Sequence, residues 1–529
     1  MSGFPVIVAN GRGRYLILVV LTALLQALAA ACAAIATRDI FAAFLAHDQT
    51  RPVGAFLVLA GSGLAIAAGR IGQATLGERL GQSFAGELRD RLFTQFSQMP
   101  RLDVQNQRRG GLALRFVGDL SAIRGWVGDG LPKAFASGFV LPAACVAGFL
   151  LHPMLGAVLC GCVCFALLVL ALAARRLRPL HQALRRRRAR LSADMSERAP
   201  QAPDLRLIGR MAQERARLRV QTQALTDAAT ARRRAGAIMR AVPDVVAAAA
   251  AALVLAVSLD LDLPTSLAAG GLAAVAIVIT PLRDLALISD RYSAFYVART
   301  KCLRVFKRPI LSEAADTPVD TSLTFREVSH GPLQSVSFTV PPGGTLILRG
   351  SNGSGKSTLL RLAAGLEEPG QGHTLIGAEP AIRAAPQSRV CLIDSHTPIL
   401  AGSLRRSLTL GTRKRPPDAR IRDVAVAFGL ASLLCRLGGL NGKISELGRN
   451  LSEGERWRVL LVRARLAKAQ IILLDCPDST LGGDAENRIA RWLRNASSTS
   501  VIAVRGSGAE WACGSTQVLD LDDVDRSAR

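Results

Sequence analysis

The most explicit chemistry in the chain is carried by nine consecutive residues: Gly350, Ser351, Asn352, Gly353, Ser354, Gly355, Lys356, Ser357 and Thr358. They make a G-x4-G-K-S run, in which glycines let the backbone close its N–H groups around phosphate oxygens and the lysine reaches the outer phosphates. The apolar run TLILR precedes it and the helix-like LLRLAAGL follows, so a bound phosphate also meets the N-terminus of a helix and its dipole. The Ser357 hydroxyl is placed to hold Mg²⁺. About 120 residues later a second apolar run, Ile471-Ile472-Leu473-Leu474, ends at Asp475, the position from which a carboxylate steers the same ion. These residues predict ATP, or another nucleoside triphosphate, with Mg²⁺.

Positioning such a loop takes a sheet, and the surrounding sequence supplies one. LTFREV and SVSFTV read as strands, a PPGG turn follows, and the linker KRPILSEAADTPVD separates this part from what precedes it. Upstream the pattern changes to apolar runs, and a helix needs about 20 apolar residues to cross a hydrocarbon core of about 30 Å. Six runs qualify, near residues 15–36, 53–72, 133–151, 154–174, 243–259 and 266–288. Only His152 and Pro153 separate the third from the fourth, which predicts a tight helical hairpin. The first run is too long for a secretory signal and no small-residue cleavage site follows it.

The balance of 66 basic to 40 acidic residues leaves a net charge of +26 in a chain that is 50% hydrophobic. That composition excludes a disordered or collagen-like chain. It also raises nucleic-acid binding, which the location of the charge argues against. The arginines concentrate between the spans, in residues 73–132 and above all in 175–240, with RRLRP, LRRRRAR and ARRRAG. Loops rich in Lys and Arg stay cytoplasmic, so both termini and the nucleotide part are expected inside the cytoplasmic (inner) membrane, with a secondary attraction to its anionic lipids. The ten cysteines show no CxxC pair and no zinc spacing, which fits a reducing compartment without disulfides or metal other than Mg²⁺.

One further segment completes a pattern. Leu451-Ser452-Glu453-Gly454-Glu455 precedes the basic run RWRVLLVRARLAKAQ. With the phosphate loop, Asp475 and six spans, it makes the chain resemble an ABC transporter half-subunit of the exporter type. The resemblance covers essentially the whole chain, including GERLGQSFAGELRDRLFTQFSQMP and GDLSAIRGW. It implies a multidomain fold: an all-α six-helix transmembrane domain at residues 1–300, a linker at 301–320, and an α/β P-loop ATP-binding cassette at 321–529. It implies a dimer in which each ATP lies between one chain's phosphate loop and the other's signature sequence, here Leu451 to Glu455. Coupling segments are expected near Asp119 to Trp126 and near Pro200 to Met211.

The resemblance also shows what is missing. The family places a Glu directly after the strand-ending Asp to orient the attacking water, and this chain has Cys476. The switch His falls where Arg505 and Gly506 stand, and the γ-phosphate-sensing Gln at Ser395, next to His396. The adenine-stacking aromatic falls at His330-Gly331-Pro332, and an Asp of the following loop at Gly482. Whether His330, Ser395 or His396 replaces a family residue is open at this point, and Glu453 sets an acid where the signature has Gly. Five altered positions around an intact phosphate loop imply a site that binds ATP without efficient turnover, in a heterodimer with a second, motif-complete half-transporter. A homodimer, and a membrane-embedded ATP sensor or scaffold that transports nothing, are the alternatives. The cargo, a small molecule, lipid or peptide, is not readable. The polar span residues recognised are few, Gln26 with Arg283 and Asp284, and they predict a mostly aliphatic cavity suited to an amphipathic molecule.

Overall fold

A computed structural model describes residues 4–45, 52–105, 115–310, 320–385, 390–477, 481, 483–496, 498–504 and 516–523. Gly482, Arg505 and Gly506 lie outside the described residues. The chain divides into two compact units, one of Met1–Ser97 with Gln105–Arg308 and the other of Gln98–Val104 with Pro309–Arg529.

Among its described residues the first unit holds six long helices: Gly13–Leu45 (α1), Val53–Ser97 (α2), Arg115–Leu151 (α3), Pro153–Arg198 (α4), Met211–Asp260 (α5) and Thr265–Phe306 (α6). Each contains a window apolar enough to cross a membrane. Several run far past it, because the Ala-, Leu-, Arg- and Gln-rich extensions are themselves good helix formers. The 46 residues of α4 span roughly 70 Å at 1.5 Å per residue, about twice a hydrocarbon core. The α3–α4 turn is the predicted hairpin: His152 caps α4 by accepting the Met154 N–H at its ring nitrogen (3.3 Å), and Pro153 fills the first helical position, where no N–H is needed.

The core of this unit is aliphatic, built from Leu155, Leu159 and Val163 of α4 against Val246 and Val254 of α5 and Val275 and Val278 of α6. The α2–α3 crossing is closer still. A Cβ on Gly81 would sit 2.9 Å from the Arg124 carbonyl oxygen and from the Gly128 Cα, and one on Gly77 would collide with the Gly128 carbonyl. Small residues four apart let two backbones touch in this way.

The segment Asp119 to Trp126, expected to couple the domains, packs within the membrane unit. Asp119 is buried and accepts from Lys301 at 3.2 Å, while Trp126 packs on Tyr292 and Phe295 at 5.0 and 5.9 Å. It is thus fastened to α6 inside the membrane unit. The segment that belongs to the nucleotide unit is Gln98–Val104. There Arg101 donates its backbone N–H to the Leu366 carbonyl (3.2 Å) and pairs through its guanidinium with Asp394 (2.9 Å). Between α4 and α5, within the segment Pro200 to Met211, a short helix, Ala202–Leu207, makes the turn and leaves Leu207 and Ile208 exposed.

Among its described residues the second unit has two main sheets and a short two-stranded one that pairs Gly402–Ser403 with Lys443–Ile444. Leu323–His330 (β1) pairs antiparallel with Leu333–Val340 (β2) and with Gln371–Ile376 (β4). The other main sheet is parallel and five-stranded: Thr516–Asp520 (β8), Thr345–Arg349 (β3), Thr499–Ala503 (β7), Ile471–Asp475 (β6) and Val390–Ile393 (β5), in that spatial order. Its central strands are apolar on both faces, as strands covered on both sides must be. In register, Ala503 lies beside both Leu348 and Asp475. The ends of β3 and β6 therefore reach the same edge of the sheet, where open α/β sheets bind ligands.

Candidate nucleotide-binding site

The phosphate loop joins β3 to the helix Lys356–Ala363 (α7). Gly350, Gly353 and Gly355 take φ of +139°, +95° and +101°, a region that side chains avoid. A Cβ on Gly355 would also lie 2.7 Å from Leu333 Cδ2. Lys356, 7% exposed, folds back over the loop and donates to the Gly350 and Ser351 carbonyls at 2.6 and 2.8 Å. Ser354 Oγ is buried without a hydrogen-bond partner among the described residues. Ser357 Oγ donates to Asp475 Oδ2 at 2.6 Å. Thr358 accepts from Arg361, which also binds the buried Glu367.

These groups surround a cavity of about 400 Å³, lined by Asn352, Gly353, Gly355, Lys356, Ser357 and Thr358 together with Pro332, Ser395, Asp475, Cys476, Glu453 and Trp457. The donor set fits a phosphate chain with a divalent cation: backbone N–H groups at a helix N-terminus, an ammonium, a hydroxyl and a carboxylate. Cys476 stands in the wall beside Asp475. It has φ +56° and donates its N–H to the Ala503 carbonyl at 2.9 Å, continuing the β6–β7 pairing by one residue.

The remaining sequence candidates separate. Ser395 reaches the cavity wall, while His396 bonds the Ser395 hydroxyl at 2.9 Å and sets its own N–H on Asp394. His330 does not line the cavity; its ring faces the Glu367 carboxylate at 3.5 Å, and the neighbouring Pro332 takes the wall position. Leu451 is buried. Ser452 caps the helix Glu453–Ala467 (α8) through a capping box: its Oγ accepts the Glu455 N–H (3.2 Å) and its own N–H donates to Glu455 (2.9 Å). Burial pushes the Glu455 carboxyl up, but hydrogen bonds from Arg436 and Ser452 outweigh that and hold it below the ordinary carboxylate range. Gly454 is half-buried between them. Glu453 and Trp457, one turn apart on α8, face the phosphate loop of the same chain.

Two participants lie outside the motifs. Asp522, just beyond β8, accepts from Ser351 N–H (2.7 Å) and Ser351 Oγ (2.9 Å) and so anchors the loop's entry. Trp457 contributes the aromatic surface. Only its i+4 spacing from Glu453 could have signalled that.

Comparison with known proteins places this geometry. Residues 16–280 match the family described as ABC transporter transmembrane region, and residues 333–479 match the family described as ABC transporter. The chain belongs to the ABC transporter family. A solved bacterial Atm1-family ABC exporter with ATP bound superposes with a TM-score of 0.79 over 98% of this chain and 96% of that one, at 18% identity, which establishes a shared fold. The ATP-dependent lipid A-core flippase of Bordetella avium is 24% identical over 76% of this chain and 71% of its own length. The mycobactin import ATP-binding/permease protein IrtB of Mycolicibacterium smegmatis is 31% identical, over 43% of this chain and 42% of its own length. The chain thus spans less than half of that relative. It is a multi-pass membrane protein of the half-transporter type with an ATP-binding domain.

Proposed function

We propose that this chain is one subunit of a heterodimeric exporter in the cytoplasmic membrane, binding ATP and Mg²⁺ at its own phosphate loop while a motif-complete partner performs most of the hydrolysis. Its parts are a membrane domain over about residues 1–300, a linker at 301–320 and a cytoplasmic nucleotide domain at 321–529. The observation that carries the reading is Cys476: in a wall otherwise equipped for MgATP, the residue beside the Ser357–Asp475 pair is a thiol. A thiol ends one bond beyond Cβ and is a weak acceptor, so it does not orient an attacking water.

In this reading Lys356 exchanges its two carbonyl partners for phosphate oxygens, and the loop N–H groups and the buried Ser354 hydroxyl take the rest. Ser357 and Asp475 would hold Mg²⁺, which when bound neutralises phosphate charge. Leu451, Ser452 and Gly454 complete the partner's site from the opposite side, while Glu453 lines this chain's own cavity. ATP then favours closure of two nucleotide domains because it binds the closed arrangement more tightly, and the membrane helices follow as rigid bodies. Copurification tests the partner. We expect a second half-transporter that carries Glu after its own strand-ending Asp. Recovery of this chain only with itself, or with a kinase or other enzyme, would overturn the heterodimer.

A further inference from the structure

The membrane unit holds a second, half-open cavity, of about 530 Å³, a size typical of small-molecule sites. An aliphatic lining was expected, and the observed one is polarised. At one end lie Asp129, Lys133 and Asp284, with Lys133 Nζ 3.3 Å from Asp129 and 3.6 Å from Asp284. Asp129 is also held by Arg291 at 2.5 Å from outside the cavity. Gln26 and Gln73 join α1 to α2 through a buried amide pair of 2.8 Å. At the other end the wall is Ile66, Val140 and Ile277. Val140 and Ile277 are each seven residues from the charged end along their helices, about 10 Å at the helical rise.

Arg70, on α2, also lines this cavity and has no carboxylate within 4.0 Å among the described residues. A packing role explains Lys133, which ties α3 to α6, but it leaves Arg70 unexplained. An ionisable side chain inside a membrane span is costly and marks a ligand pathway by default. With Asp129 neutralised by Arg291 from outside, the charges left facing the cavity are Arg70 and Lys133 against Asp284, one positive in excess.

We infer that this cavity binds an amphipathic molecule with a single net negative charge, its anionic head group held by Arg70 and Lys133 and its apolar body lying along Ile66, Val140 and Ile277. The proposal rests on the transporter reading and names the class of cargo. Asp284 gives the site its selectivity, since it rejects a head group bearing more than one negative charge and limits how deeply any anion sits.

The test uses the full chain in phosphatidylcholine nanodiscs and a dansyl fluorophore on an alkyl chain ending in carboxylate, beside its twin ending in ammonium. Empty nanodiscs provide the partition baseline. The carboxylate probe should bind saturably above that baseline and the ammonium twin should not. Arg70→Gln should weaken the carboxylate probe about tenfold or more, the scale of a charge-assisted hydrogen bond, and Arg70→Lys should recover most of it. Asp284→Asn should tighten it, a gain that damaged folding does not produce. Equal binding of the two probes, or no effect of Arg70→Gln, overturns the proposal. ATP binding measured on the same samples reports separately on the nucleotide site. Its loss with probe binding intact would count against the transporter reading and leave the cavity assignment standing.

Discussion

If the thiol at position 476 is what stops turnover, Cys476→Glu should restore part of it. The backbone there already accepts a side chain at φ +56°, and its N–H is fixed to Ala503, so the exchange adds no new left-handed strain. A glutamate carboxylate ends three bonds beyond Cβ, against one for the thiol, and projects from the wall shared with Ser357 and Asp475. A positioned general base contributes about 10²–10⁴-fold, or roughly 3–5 kcal/mol of barrier. Ser395, which the sequence reading sets at the family's Gln, lines the same cavity, so on that reading the lower end applies, and we expect about a 100-fold rise in phosphate release. The assay is steady-state phosphate release from the purified chain, with ATP affinity measured in parallel. A rate within twofold of the wild type, at unchanged ATP affinity, would refute the reasoning that Cys476 limits hydrolysis.

Other outcomes follow from the same geometry. Glu453→Gln removes a negative charge from the phosphate cavity; one charge at about 8 Å in a medium of ε about 40 is worth roughly 1 kcal/mol, so ATP should bind about fivefold more tightly in a titration. Thiol labelling mapped by mass spectrometry at pH 8 should modify Cys476, with ATP protecting it. Cys391, whose thiol burial pushes up to about 11, should stay protonated and unlabelled until the pH approaches that value. Gly81→Ala, which forces a Cβ to 2.9 Å from the α3 backbone, should cost about 1–3 kcal/mol and lower the thermal midpoint. Gly61→Ala on the same helix, with nothing within 4 Å, should leave it unchanged.

What could be read from the sequence was what is local in sequence. The phosphate loop is one run of residues whose glycines, lysine and serine act together, and Asp475 is marked by the strand it ends. The six spans follow from run length, and the α3–α4 hairpin from His152-Pro153. Contacts made across the chain were not legible. Arg101 meets Asp394 across 293 residues and Asp522 meets Ser351 across 171, and neither pairing leaves a mark in the local sequence. The cavity was misjudged for a related reason. Arg70 sits at the end of an apolar run, and whether it faces lipid or a cavity depends on the rotation of α2, which the Gln26–Gln73 pair and the Gly77 and Gly81 contacts set. The same holds for Glu453 and Trp457, whose facing toward the phosphate loop depends on where α8 packs.

The central claim is that this chain holds ATP and scarcely turns it over. The direct measurement follows bound nucleotide and released phosphate on one sample of the purified chain, then repeats it after adding the motif-complete partner. The account predicts Lys356-dependent ATP retention with phosphate release near background for the chain alone, and a marked rise on addition of the partner. Robust release by the chain alone, abolished by Lys356→Ala and indifferent to Cys476→Ala, would contradict it.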